Sequence, residues 1–203
     1  KKWVGTFEGN EDVCGLYTGL IRVYGTPDGK DVAKANADFK FSKLDLSYIG
    51  EEVSVLYKDA TGGTANKPDK KDTIYGVYVT GETKVYNITK DDLQSQKDAG
   101  TVRFGDKNYD VAKIAKDDEY INYNYGAKKD TAAAAMTADQ VADDMISKLK
   151  ATSADTVKFI CNDDGDIVKA YVVESKLARV TAVNSEKVSI NNGVGTIKFE
   201  DND

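Results

Sequence analysis

Residues 156–173 read TVKFICNDDGDIVKAYVV. Two runs rich in β-branched and aromatic residues flank Asn162, Asp163, Asp164, Gly165 and Asp166, residue types that accept the backbone angles of a tight reversal. The stretch reads as strand, turn, strand. A second pair of runs repeats it earlier: Val53-Ser54-Val55-Leu56-Tyr57-Lys58-Asp59 and Ile74-Tyr75-Gly76-Val77-Tyr78-Val79. Their connecting loop, 60–72, is longer and rich in Gly, Thr, Lys and Asp, as expected where repeated units take insertions.

A related block precedes each hairpin. Gly19-Leu20-Ile21-Arg22-Val23, then Asp31-Val32-Ala33-Lys34, resembles Gly100-Thr101-Val102-Arg103-Phe104, then Asp110-Val111-Ala112-Lys113. The order is the same in both halves. We therefore expect two tandem β-rich modules, residues 1–98 and 99–203, each of about 100 residues and large enough for its own core.

Alternation of apolar and polar residues, the mark of half-buried strands, predicts strands at 3–8, 16–24, 37–41, 52–57, 73–79, 84–87, 101–104, 108–113 and 120–124. Further strands are predicted at 157–161, 167–173, 178–183, 187–190 and 195–199. One amphipathic helix is predicted over 137–150. Thr137 and Gln140 form a T-x-x-Q capping box. Ala138, Val141, Ala142, Met145, Ile146 and Leu149 follow at helical spacing, with Asp139, Asp143, Asp144, Lys148 and Lys150 on the wet face. That stripe reads as a helix lying on a sheet, not as a cofactor-holding one. A shorter helix is predicted over 90–97, capped by Thr89 and stopped before Gly100. The alanine run 132–135 reads as a linker into the main helix. The expected fold class is mainly β, α+β by element count: two small barrel-like or sandwich-like modules with one amphipathic helix in the second.

Composition narrows the chemistry. Hydrophobic residues make up 40% and charged residues 31%, the balance of a folded chain rather than a disordered one. The 12 tyrosines outnumber Phe and Trp together and suit half-buried positions on pleated sheets. A net charge of −6 repels phosphate backbones, which argues against nucleic-acid partners. No run approaches the roughly 18 apolar residues that cross a bilayer. The opening Lys1-Lys2-Trp3 falls in mid-pattern, so the sequence reads as a piece of a longer chain.

The chain has no histidine, which removes Ser-His-Asp and Cys-His nucleophiles and most zinc sites. Cys14 and Cys161 lie far apart, with neither CxxC nor zinc-knuckle spacing. Two buried thiols are the preferred reading over a disulfide between them. Asn162, Asp164 and Asp166 alternate like the first ligands of a calcium loop, but Ile167 stands where the loop glycine belongs and Val173 where a bidentate Glu belongs. These three are the metal candidates, with calcium the ion considered, and a solvated hairpin turn is the reading adopted.

The acidic pairs Asp91-Asp92, Asp117-Asp118 and Asp143-Asp144 are adjacent in sequence and so point apart. A glycosidase needs two facing carboxylates across a cleft, and no pair announces itself. Trp3, Tyr120, Tyr123 and Tyr125 are the candidates for a sugar-binding platform, weighed against ordinary half-burial on a sheet. We expect no catalytic residues, no cofactor and no enzymatic activity.

The segment 156–173, followed by Arg179-Val180-Thr181-Ala182-Val183, resembles a recurring hairpin in surface proteins of Gram-positive, largely clostridial bacteria. Those proteins carry S-layer homology domains and long stalks of β-rich modules. Residues 48–59 and Thr80-Gly81-Glu82-Thr83-Lys84-Val85 resemble the same family. The resemblance implies an extracellular location at the cell wall or surface and attachment to a cell-envelope polymer through neighbouring domains. It also implies a structural, spacer or adhesive role, the competing role being a carbohydrate-binding or adhesin module with a glycan or protein ligand.

Overall fold

The computed structural model of the chain describes residues 1–8, 20–41, 46–60, 62, 67–123, 128–173, 179–183 and 197–200. Half of these lie in strands and 13% in helical turns, so the protein is mainly β. The first sheet holds β1 (Lys2–Phe7), β2 (Leu20–Pro27), β3 (Ala35–Lys40), β4 (Glu52–Lys58) and β5 (Thr73–Val79), in the order β3-β2-β1-β4-β5 and antiparallel throughout. Alternation places Trp3, Phe7, Ile21, Val23, Ala37, Phe39, Val53, Val55 and Tyr57 in one buried cluster. The opposite face turns to solvent.

The second sheet takes β6 (Val85–Thr89), β10 (Glu119–Tyr123), β11 (Lys128–Thr131), β12 (Thr156–Cys161) and β13 (Ile167–Val173). Its order is β11-β10-β13-β12-β6, with β10 and β13 parallel. Strand β7 (Leu93–Gln94), β8 (Thr101–Phe104) and β9 (Lys107–Asp110) form a small third sheet. A last pair joins β14 (Arg179–Val183) to β15 (Ile197–Glu200). The sheet changes between Val79 and Val85, because β6 pairs antiparallel with β12. That point lies ahead of the boundary expected near residue 98.

The helix α1 (Ala138–Ala151) starts at the expected capping box: the Thr137 hydroxyl accepts from the Gln140 amide, and the Gln140 side chain accepts from the Thr137 amide. Its Val141, Ala142, Met145, Ile146 and Leu149 are buried. They share a core with Val157, Phe159, Ala170 and Val172 from one face of the second sheet. Phe104 ties in the third sheet, stacking on Phe159 at 5.5 Å between ring centroids and on Tyr109 at 4.1 Å.

The short helix expected at 90–97 is instead one 3-10 turn, Lys90–Asp92. Thr89 caps it with Asp92 as expected of a capping residue, but Leu93 is already extended and pairs with Phe104. A long-range ladder outweighs a helical nucleus of one turn. Of the alanine run, Ala132 is 2% exposed and its amide and carbonyl bond to Asp118 and Asp117, while Ala133, Ala134 and Ala135 are exposed and lead toward α1 as expected of a linker. The strand expected at 187–190 lies outside the described residues.

The two hairpins noted in the sequence match in form. Each is antiparallel and carries a register shift near its turn, between Leu56 and Tyr57 in one and between Ile160 and Cys161 in the other. Each also has an earlier strand, β1 or β6, antiparallel to its first strand.

Candidate functional site

The most unusual chemistry lies where the second sheet meets the first. Along β12, Val157, Phe159 and Cys161 face the helix-side core, so Lys158 and Ile160 face the other way. There Ile160 and Tyr171 join the core of the first sheet. Both pack on Gly50, which has φ +83. A Cβ at Gly50 would sit 2.7 Å from the Tyr171 ring and 2.8 Å from Ile160. Only glycine allows both that backbone and that closeness.

Lys158 is 5% exposed. Its ammonium lies 3.0 Å from Glu51 Oε1 and donates to the Ser47 carbonyl, the pairing a buried charge requires. Two strands over, Glu119 Oε1 is 3.1 Å from Lys169 and Oε2 is 3.1 Å from Lys129, while Asn122 donates to Oε1 at 2.8 Å. Burial pushes the Glu119 carboxyl up, but Lys169, Asn122 and Lys129 outweigh it and the net shift is down. Glu8 moves the opposite way, although part of it faces solvent. Surrounding protein raises its carboxyl, Lys169, Arg22 and Lys129 pull it back, and Glu119 adds to the rise.

Two carboxylates of opposite shift invite an acid–base reading. The arrangement does not favour one. Both oxygens of Glu119 are taken by lysines, and among the described residues three clefts of about 320, 330 and 570 Å³ are lined by other side chains. The cluster can neutralise charge and fix the angle between two sheets.

The metal candidates Asn162, Asp164 and Asp166 do come together, on the wall of the 570 Å³ cleft beside Thr137 and Lys113. Within the turn, Asn162 Oδ1 accepts from the Asp166 amide at 2.9 Å, Asn162 O accepts from the Gly165 amide at 3.0 Å, and Gly165 has φ +91. The Asn162 oxygen that a cation would use is thus engaged in closing the hairpin. Among the described residues no group of three or more Asp, Glu or Cys is placed to hold a metal ion.

Of the proposed sugar platform, Trp3 and Tyr120 are buried and Tyr123 is half-buried. Tyr120 donates to Asp144 and accepts from Lys148, and Tyr123 donates to Asp130. Lys148 reaches Asp144 at 2.7 Å and Asp130 at 3.4 Å. These tyrosines belong to a network locking α1 to β10 and β11, so they form no platform. Tyr125 and Cys14 lie outside the described residues. Cys161 is a free buried thiol whose pKa is raised by burial.

Sequence reasoning missed Glu51, Lys158 and Glu119. The one available signal was a lysine inside an otherwise apolar strand, VKFIC. Among the described residues no helix is long and apolar enough to cross a membrane. Comparison with protein-family models, characterised proteins and solved structures finds no match for the chain.

Proposed function

We propose that this chain is a non-catalytic spacer segment of a bacterial cell-surface protein, held to a cell-envelope polymer through neighbouring domains. The observation that carries the reading is the junction itself. Two sheets share one core cluster, joined by Gly50 against Tyr171 and by a buried ion pair. Interfaces within a chain that are wet and small allow domain motion. This one buries Ile160 and Tyr171 at its centre and pairs its charges, as a rigid spacer needs. The hairpin resemblance supports the surface location.

In the same reading the chain is a tandem repeat whose second copy starts at β6. That strand holds the place beside β12 that β1 holds beside β4. The competing role, a carbohydrate-binding or adhesin module, loses support from the burial of Trp3 and Tyr120.

The test is surface accessibility in the source cells. Antibody against this segment should label intact cells, and the parent protein should fractionate with the envelope. Labelling only after permeabilisation would overturn the reading.

A further inference from the structure

The two ends of the first sheet are finished differently. Strand β3 is a guarded edge: Asp38 pairs with Arg22 through two hydrogen bonds of 2.7 and 2.8 Å, Lys67 donates to the Asn36 carbonyl, and Lys40 closes the strand. Charges on an edge block unwanted strand addition. Strand β5, at the other end, reads TIYGVYV and carries no charge at all.

Its outward backbone groups can be assigned. The Tyr57 amide bonds to Lys1 and the Phe7 amide to Glu51, so odd positions of β4 serve β1. The Thr80 amide bonds to Glu52 O, so even positions of β4 serve β5. Val77 and Val79 are therefore left with N–H and C=O pointing away from the sheet, and neither has a backbone partner among the described residues. On and around them cluster four of the six exposed large hydrophobics among the described residues: Tyr75 (64% exposed), Tyr78 (54%), Val79 (39%) and Leu56 (38%). The Tyr78 ring reaches back over Gly76, the residue paired with Leu56.

In the other half of the molecule the corresponding edge is covered, there by a parallel strand. Strand β13 occupies the position of β5 in the matching hairpin, and its outer edge is covered by β10, with Ile121, Asn122 and Tyr123 set against Ala170, Tyr171 and Val172. A hairpin of this design takes a further apolar, aromatic strand.

We propose that β5 pairs with β5 of a second copy of this chain, antiparallel about a two-fold axis, to give one continuous ten-stranded sheet. Setting Val77 opposite Val79 of the second copy satisfies both outward pairs and places the two Tyr78 side chains directly opposite each other. The surface is self-complementary because it is neutral. In a chain of net charge −6, an uncharged strand is where two copies approach without repulsion.

The experiment is sedimentation of the whole chain over a concentration series, with amide exchange read at Val77 and Val79. Wild type should reach twice 22.1 kDa, with these two amides slowing as the dimer forms. Tyr78→Lys and Tyr78→Glu should each remain monomeric with unchanged circular dichroism, and an equimolar mixture of the two should recover the dimer. A wild type that stays monomeric, or a dimer in which Val77 and Val79 exchange freely, would overturn the proposal. So would a partner strand from another protein or a glycan protecting these amides while the chain stays monomeric.

Discussion

Lys158 on β12 and Glu51 just ahead of β4 face each other at 3.0 Å across the joint between two sheets, with the Ser47 carbonyl as a second acceptor for the same ammonium. One cation thus ties the second hairpin to the approach of the first. Both partners are poorly hydrated, at 6% and 13% side-chain exposure, so removing either leaves an uncompensated charge. Lys158→Ala should cost about 3 kcal/mol or more, as breaking a buried pair does. The double variant Lys158→Met, Glu51→Leu should be near wild type, since no charge is stranded. Urea unfolding of the three proteins measures this. Equal losses in single and double variants would mean that the pair is not what holds the joint.

Gly50 tests the apolar side of that joint. A methyl group there meets Tyr171 and Ile160 within 3 Å, at φ +83. Left-handed backbone costs an ordinary residue about 1–2 kcal/mol, and overpacking adds about 1–3 kcal/mol. Gly50→Ala should therefore lose several kcal/mol of stability. A loss near the left-handed cost alone would show that Tyr171 and Ile160 give way freely.

How far the sequence disclosed these features depended on whether local pattern carried them. Three strands, β5, β8 and β13, fall on the residues expected from alternation, and α1 starts at its expected cap. Strand β11 was missed because Lys128-Lys129-Asp130-Thr131 has no apolar alternation; it is defined only by its ladder to β10. At the 3-10 turn 90–92 the Asp92 carboxylate accepts from the Thr89 amide and hydroxyl, and the residue that ends the turn, Leu93, is held by Phe104 across the chain. The charged joint was the least legible part. Glu51 just ahead of β4, Lys158 on β12 and Glu119 on β10 are brought near one sheet face only by tertiary packing, and nothing in their spacing foretells it.

Acid should weaken the fold. Hydrogen bonds and charge from Arg22 hold Asp38 below its ordinary carboxylate value, and Glu119 and Asp144 are also lowered. Such groups stabilise the fold above their unfolded pKa, roughly 4, and the contribution disappears as pH falls toward the folded values. Glu8, raised instead, opposes the trend. Melting temperature should fall as pH drops below about 4.5, within the window set by those carboxylates. Asp38→Asn should cost at most about 1 kcal/mol at neutral pH, because the pair is a third exposed. It should also make the acid decline shallower. An unchanged acid limb in that variant would contradict the assignment.

Calcium should not matter. Asn162 Oδ1 is spent on the Asp166 amide, and the turn closes through its own backbone. Saturating calcium stabilises any protein that binds it by mass action, by about 2.7 kcal/mol at one hundred times Kd. The expected result is one melting temperature with millimolar calcium and with chelator. A rise with calcium that Asp164→Asn abolishes would establish a site at this turn.

Alkali should unfold the protein through its buried phenols. Tyr57 is 1% exposed and its hydroxyl finds no hydrogen-bond partner among the described residues. Burial, with the charges of Asp72, Asp59 and Asp28, pushes its pKa up to about 12, and burial beside Asp130 does the same for Tyr123. Between the ordinary phenol value near 10 and these folded values the native state holds protons that the unfolded chain has released. Stability is therefore complete below pH 10 and is lost as pH rises toward 12. Tyr57→Phe separates this effect from general alkaline damage. It removes a buried hydroxyl that has no partner, whose desolvation costs about 1–3 kcal/mol, while keeping the ring that fills the first core. The variant should be at least as stable as wild type at pH 7, and its stability should fall less steeply above pH 10. A loss of stability at pH 7 would mean that the Tyr57 hydroxyl has a partner after all.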